Sequence, residues 1–446
     1  MPYSHTTLAQ LSTQLANRLG DSGGVFWTPA ERARLVREAL RSWNLAALYF
    51  RDRGTFSTAA GTAFYDLGTH LDNGGSKILE RTLTDADLFA DIKYHLVEPS
   101  PADVTTFSDQ FTQDDITQAL QRRRNQFLLE TSQIHTAAET GVVQASTPRV
   151  SLSDSVLDVK RAAWKTPTYV DQNGSTVPDQ YANLQLTDEH RLNAQFPGWA
   201  LTPGTPSAYT TVLQPNLQLQ LVPVPQDSGR LHLITADAGA ALNPATGVAL
   251  GVAQDSAPVV KWGALADLLS KDGPARDARR AEYCEGRWKE GVELSKVMVS
   301  AAHAELNGRP AHVSSLFDLD AHVPGWQHSS GAPEAVALSG QNLLALYSVP
   351  DGVYSVTLDV VRNAVVPSED GNYVQIGREF LDVLLDYAVH LAMFKCGGQA
   401  FADTMPLYER FMKAAAAFNS KLAERAESFE VLRDKSQRGE RQRFAA

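Results

Sequence analysis

The chain has 446 residues, 43% of them apolar and 20% charged, with a formal net charge of −11. That length buries ample core and suggests two to four domains, and the composition excludes wholesale disorder. The acidic balance excludes a protein that grips nucleic acid over its whole surface, but not a surface past which DNA slides without sticking.

In chain order, Leu8, Leu11, Leu15 and Leu19 predict a short amphipathic helix that stops at Gly20. Thr28-Pro29-Ala30-Glu31 opens the best-signalled helix: Thr28 is an N-cap, Pro29 needs no N–H there, and Glu31 closes a capping box. Its apolar face is Leu35, Val36, Ala39, Leu40 and Trp43; Arg32, Arg34, Arg37 and Arg41 fill the remainder, either as a solvated face or paired to an acidic neighbour. Thr55 to Thr58 and Ala63 to Leu67 read as a hairpin around Gly61, followed by helices over about 85–97 and 112–131. The first 140 residues thus also run helices, strands, helices, as a degenerate further copy of the later pattern would.

From Val150 to about Thr235 the signal is β, with Pro- and Gly-rich punctuation that fits a small sandwich. Helices are expected over 259–269 and 276–304. The stretch Pro197-Gly198-Trp199 to Ala208 then recurs without a gap as Pro324-Gly325-Trp326 to Ala335. Half of the positions are identical, nearly all of them Gly, Pro or Trp. The β block recurs over 313–366, and helices return over 380–394 and 407–432. The fold class is α+β: helical bundles alternate with small antiparallel β-sandwich units, with an internal duplication in the C-terminal half. The expected divisions are 1–145, 146–305, 306–432 and a basic arm, 433–446.

No Walker A loop, dinucleotide fingerprint, nucleophile elbow or zincin helix occurs. Asp318-Leu319-Asp320-Ala321-His322 would put three ligands on one face if it were a strand, or simply mark a solvated face. Asp382, Asp386 and His390 form one helical stripe, suited to acid–base work or to a surface left for a neighbour. Cys284 sits beside Glu282 and Glu285, which blunts a thiol, and both it and Cys396 read as free thiols in a reducing compartment. Arg122-Arg123-Arg124 face several directions at once and suit an interface or solvent better than a phosphate line. The last run, Arg433, Lys435, Arg438, Arg441, Arg443 and Phe444, is either a mobile tail or an arm that orders on a partner. The opening residues lack the regions of a secretory signal, and no apolar run approaches the ~18 residues of a membrane span, so cytoplasmic folding is expected.

The order of elements resembles the head-to-tail connector (adaptor, or neck) proteins of tailed bacteriophages. The residues that carry the likeness are the capped arginine-bearing helix, Arg53-Gly54-Thr55-Phe56, and Gly61 to Leu67. They continue with Trp199, Gly204-Thr205-Pro206, the 217–225 strand run, and Tyr283 with Arg287-Trp288. Many adaptors are shorter and carry one such unit, and Val336 stands where the first copy has Tyr209, so the neck layer stays open. The resemblance implies a non-enzymatic structural protein of the virion neck, assembled in the host cytoplasm, without cofactor, metal or membrane. It implies a homo-oligomeric ring, commonly a dodecamer, between the portal protein and a tail or nozzle protein, with DNA passing through its channel without sequence-specific binding. The 433–446 arm would dock on the portal, and Arg32, Arg34, Arg37, Arg41, Asp382, Asp386 and His390 would face neighbouring subunits. The alternatives are another tail structural protein, a glycan binder using Trp199 and Trp326, or a carboxylate-dependent hydrolase.

Overall fold

The computed structural model describes residues 6–47, 50–73, 76–77, 81–96, 111–166, 169–170, 176–177, 180–213, 217–296, 303–362 and 366–421. The chain opens with α1 (Leu8–Arg18) and α2 (Pro29–Ala46), each started by a threonine capping box, Thr7 with Gln10 and Thr28 with Glu31. Then come β1 (Phe50–Ser57), β2 (Phe64–Asp66), the single turn α3 (Leu67–His70), a small ladder of β3 (Asp72–Asn73) with β4 (Ser76–Lys77), and α4 (Asp85–His95).

An inner series follows. It runs α5 (Gln113–Thr131), β5 (His135–Glu139), β6 (Arg149–Ser151), β7 (Val156–Thr166), the ladder β8 (Tyr169–Val170) and β9 (Thr176–Val177), and β10 (Gln180–Leu186). It continues through α6 (Glu189–Gln195), a 3-10 turn Trp199–Leu201, β11 (Pro203–Gly204), β12 (Ala208–Val212), β13 (Gln218–Val222), β14 (Val224–Pro225) and β15 (Arg230–Asp237). The helices α7 (Ala257–Ser270) and α8 (Ala278–Ser295) close it.

The remaining elements are β16 (His303–Leu306), β17 (Arg309–Pro310), β18 (His312–Ser315), α9 (Leu316–His322), a 3-10 turn Trp326–His328, β19 (Ser330–Gly331), β20 (Ala335–Ser339) and β21 (Leu343–Tyr347). Last come β22 (Val349–Pro350), β23 (Ser355–Arg362), α10 (Arg378–Phe394), α11 (Gly398–Ala402) and a helix over 405–421. The fold is mixed α+β.

Strand order shows how the chain is organised. The inner series forms one sheet, β5-β15-β7-β10-β12-β13-β6. Two further sheets read β1-β23-β16-β17 and β18-β20-β21-β2. Placed end to end they repeat the inner order strand for strand, broken only at Ala311, where β10 is continuous and its counterpart splits into β17 and β18. Registers match as well: Leu186 pairs with Tyr209 in parallel as Val313 pairs with Val336, and β11 pairs with β14 as β19 pairs with β22. An outer series therefore begins at α2, β1 and β2 and resumes at β16, and the inner series interrupts it between Asp66 and His303.

Two expectations are corrected by this pairing. β1 and β2 do not form a hairpin with each other; each pairs with a strand near the far end of the chain, β23 and β21. The helix expected over 276–304 ends at Ser295, and His303–Leu306 is a strand laid antiparallel on β23. Local pattern could not reveal the partners of β1 and β2, because both lie hundreds of residues away.

By contact the chain divides into two compact units, each built from separated stretches. One comprises 52–91 and 109–360, the other 1–51, 92–108 and 361–446. In the first, Trp164, Leu184, Tyr209, Leu219, Leu231 and Leu233 fill the inner sheet's core. The recurrent Pro-Gly-Trp explains itself here. Gly198 and Gly325 take φ of 88° and 71°, a left-handed conformation that suits glycine, and so turn the chain from α6 or α9 into its 3-10 turn. Each following tryptophan is then buried, donating its Nε1–H at 2.8 Å to the residue six positions earlier, Asn193 or Asp320. In the second unit α1, α2 and α10 pack around Trp43, whose ring lies 5.0 Å from Phe380 and 5.6 Å from Phe411.

Helices α7 and α8 approach closely because glycine stands at their crossing. A Cβ on Gly291 would sit 2.5 Å from Val259 Cγ2, too near for any real contact. Gly291→Ala is expected to cost about 1–3 kcal/mol by overpacking, read as a lower urea midpoint with an unchanged slope.

Candidate functional site

The arginine face of α2 and the acidic stripe of α10 lie in the same compact unit, and both brace that unit. Arg32 is buried and donates from Nη1 to the Asp21 carbonyl at 3.0 Å. Arg37 reaches the carbonyls of Pro367 and Ser368 at 2.9 and 2.6 Å. Arg34 and Arg41 are half-buried. Across the unit, Arg18 forks onto Asp382 at 2.6 Å and Asp386 at 2.5 Å, and Arg410 adds a bond to Asp386 at 2.6 Å. His390 is fully buried, its Nδ1 2.9 Å from Thr404 Oγ1 and its ring stacked on Phe401 and Tyr408. Asp386 and His390 thus have different partners, and the stripe is not an acid–base pair. The arm residues Arg433, Lys435, Arg438, Arg441, Arg443 and Phe444 lie outside the described residues.

The other clusters are also resolved by their surroundings. Asp318 to His322 is helical, so its three polar side chains do not share a strand face: Asp318 bonds the capping Ser315, and Asp320 takes Arg161. Among the described residues no group of three or more His, Cys, Asp or Glu is placed to hold a metal ion. Arg122 and Arg123 share Asp267, and Arg123 also reaches Glu285. Arg124 is buried against the Ala240 carbonyl, and burial lowers its pKa to about 10. Burial raises the Cys284 thiol far above its ordinary range, which leaves it unreactive. Trp199 and Trp326 are buried and offer no aromatic platform to a sugar. Among the described residues no helix is long and apolar enough to cross a membrane.

An assembled surface lies inside the 52–91 and 109–360 unit, where the outer series meets the inner. α9 and its 3-10 turn lie against the edge of β10, leaving an open groove of about 1150 Å³ lined by Tyr181, Asn183, Phe317, Asp320, Gly325 and His328. Every residue of β10 from Gln180 to Leu184 is paired with β7, but only the even-numbered main-chain groups point to it. Alternation therefore turns the odd-numbered main-chain groups towards the groove, as the bonds from Gln185 N to Ser207 O and from Thr187 N to Tyr209 O confirm further along. The Tyr181 N–H donates to His328 Nε2, and the two rings lie 5.0 Å apart. Beneath them Arg161 of β7 forks onto Asp320 at 2.7 and 2.9 Å, bonds the Asn183 side chain, and packs over Trp326. Phe64 of β2 stacks on His232 of β15 at 5.0 Å.

Sequence reasoning missed this surface. Two signals were available: Arg161, a cation that alternation puts on the same face of its strand as Ala163, next to the apolar run Ala162-Ala163-Trp164, and His328 standing where the other copy has Leu201. What the arrangement does chemically is hold: it joins a helix-and-turn face of one series to a strand edge of the other. No protein-family model matches the chain, and no curated protein shows significant sequence similarity to it.

Two histidines in this unit titrate low. Burial, then the nearby Lys160, lowers His135 to about 4; burial, then Arg161, lowers His232 to about 4. The unfolded chain takes up these protons near pH 6.5 and the folded one does not, so their contribution is intact above pH 6.5 and declines as pH falls towards 4. His232→Phe keeps a ring against Phe64 and removes one titration. The drop in melting temperature between pH 7 and pH 5 is expected to be smaller in this variant than in the wild type.

Proposed function

We propose that this chain is a structural subunit that assembles with copies of itself into a ring-shaped connector, docking on a portal protein and extending a DNA channel towards a tail. The observation that carries the reading is the joint between the two series. It engages two different surfaces, a helix-and-turn face on one side and a strand edge on the other. A joint of that type between chains is heterologous, and heterologous joints close into rings when the rotation between subunits closes. The same strand order laid out twice in one chain suits repetition around an axis.

Further support comes from charge. A net charge of −11 repels a polyanion and favours passage over capture. The basic run from Arg433 to Arg443, ending near Phe444, has the chemistry of an arm that pairs with acidic groups and anchors by one aromatic ring. Several weak arms on a ring bind together far more tightly than one alone.

Electron microscopy of the purified protein, alone and mixed with its portal, is expected to show annular particles with a central hole. A monodisperse monomer in both samples would overturn the assembly reading. A chain truncated after Leu432 is expected to keep its melting temperature and to lose co-sedimentation with the portal. Undiminished co-sedimentation would remove the arm from the mechanism.

A further inference from the structure

The two series use the joint unequally. Within the chain, the α9 face of the outer series covers the β10 edge of the inner series. The counterparts of both halves are left over. The counterpart of the covering face is α6 with its 3-10 turn, where Asn193, Phe196, Gly198 and Leu201 stand for Asp320, Val323, Gly325 and His328. The counterpart of the covered edge is β17, where Arg309 and Pro310 stand for Ala182 and Asn183. The register fixes this match: Ala182 faces Trp164 and Asn183 faces Ala163 across β7, as Arg309 faces Leu306 and Pro310 faces Glu305 across β16.

Both leftovers are open. On the α6 side Phe196 is 63% and Leu201 87% exposed, two of the larger apolar side chains that this unit gives to solvent. In the used face the matching positions are engaged within the chain: His328, itself exposed, takes the Tyr181 N–H of β10, and Val323 packs on the Leu319–Trp326 core of its own series. β17 is the last strand of its sheet, with Arg309 and Pro310 exposed. Proline on an outer strand blocks ordinary strand addition, so the edge is kept from sheet-to-sheet pairing while staying accessible from the side. The residue differences fit a face that strands no carboxylate in water and gains by burial against a partner. Asn193 replaces the carboxylate of Asp320, so no acid waits without an arginine, and Leu201 replaces the polar His328 with a side chain that gains by burial.

We infer that a second copy of this chain completes the pattern: the α6 face of one subunit, centred on Phe196 and Leu201, seats on the β16–β17 edge of the next, around Arg309. The contact repeats between chains the joint made inside each chain. Successive series then alternate inner, outer, inner, outer around the assembly, and a closed ring of n chains carries 2n similar β units. This inference rests on the assembly reading above and names its surface.

Disulfide trapping tests it on the full chain with Cys396 changed to Ser, Cys284 being buried. Leu201→Cys and Arg309→Cys in one chain are expected, on oxidation, to give a ladder of covalent multimers in a denaturing gel. An equimolar mixture of the two single variants is expected to give dimers and nothing longer, and each single variant alone to stay monomeric. Leu201→Asp is expected to lower the assembled fraction at least tenfold without changing the melting temperature. Annular particles of the wild type without the 201–309 cross-link would overturn this contact and leave the assembly reading standing. Dimers from Leu201→Cys alone would overturn it in favour of a symmetric pairing, and a wild-type chain that stays monomeric overturns both.

Discussion

The larger compact unit depends on a small buried knot of amides where the end of α5 meets the turn between β20 and β21. Asn342 takes the His135 N–H on its Oδ1 at 2.7 Å and returns its own Nδ2–H to the His135 carbonyl at 3.0 Å. The Gln341 N–H bonds the Gln133 carbonyl at 3.0 Å, and the Gln341 side chain donates to the Ser295 carbonyl at 2.6 Å. His135 Nδ1 sits 2.8 Å from Ser339 Oγ. Gln133, Gln341 and Asn342 are all but closed to solvent. Buried amides cost heavily when unpaired and little when paired, so the knot tolerates one arrangement and penalises slips. It ties the first strand of the inner series to a turn of the outer one, which sets where α9 meets β10.

What could be read in the residues, and what could not, divides by range. The capping boxes at Thr28 and Thr112, the stop at Gly20 and the Pro-Gly-Trp turns are decided within a few residues, and the expected elements stand where local chemistry puts them. β1 and β2 are short, close together and separated by Gly61, so proximity alone made a hairpin of them. Their partners lie across the whole inner series, and nothing in a window of ten residues points there. Asp318 to His322 could be alternation or one helical turn, and five residues do not distinguish the two periods. Ser315, which caps Asp318, was the local clue to a helix.

The charged side chains show the same limit in another form. Arg32, Arg37 and Asp386 looked like surface because each helix carries an apolar face that accounts for its core; Asp382 does lie at the surface, its side chain 77% exposed. In the folded unit the polar face is covered too, by α1 and by the 366–372 stretch, which supplies carbonyls to Arg37 and to the start of α1. A helix that packs on two sides needs cations that reach backbone acceptors, and arginine's fork of donors serves that need better than lysine's single head. Amphipathic pattern identifies one buried side of a helix, and it is silent about a second.

Nesting one series inside the other has a consequence for assembly. The joint between α9 and β10 forms within a single chain, where covalent connection holds its halves at high effective concentration and it needs no second molecule. In the proposed assembly only the α6-to-β17 joint must form from solution. Half of the contacts in a closed ring are then present in every subunit before it meets another, and the entropic cost of association falls on the remaining half. The side chains at the two joints follow that division. The tethered joint can use a buried Arg161–Asp320 pair, because its halves are never long apart and neither charge is stranded. The α6 face of the free joint carries an amide and two apolar side chains, Asn193, Phe196 and Leu201, where the tethered face carries an acid, a valine and a histidine, so no carboxylate is stranded before the joint closes.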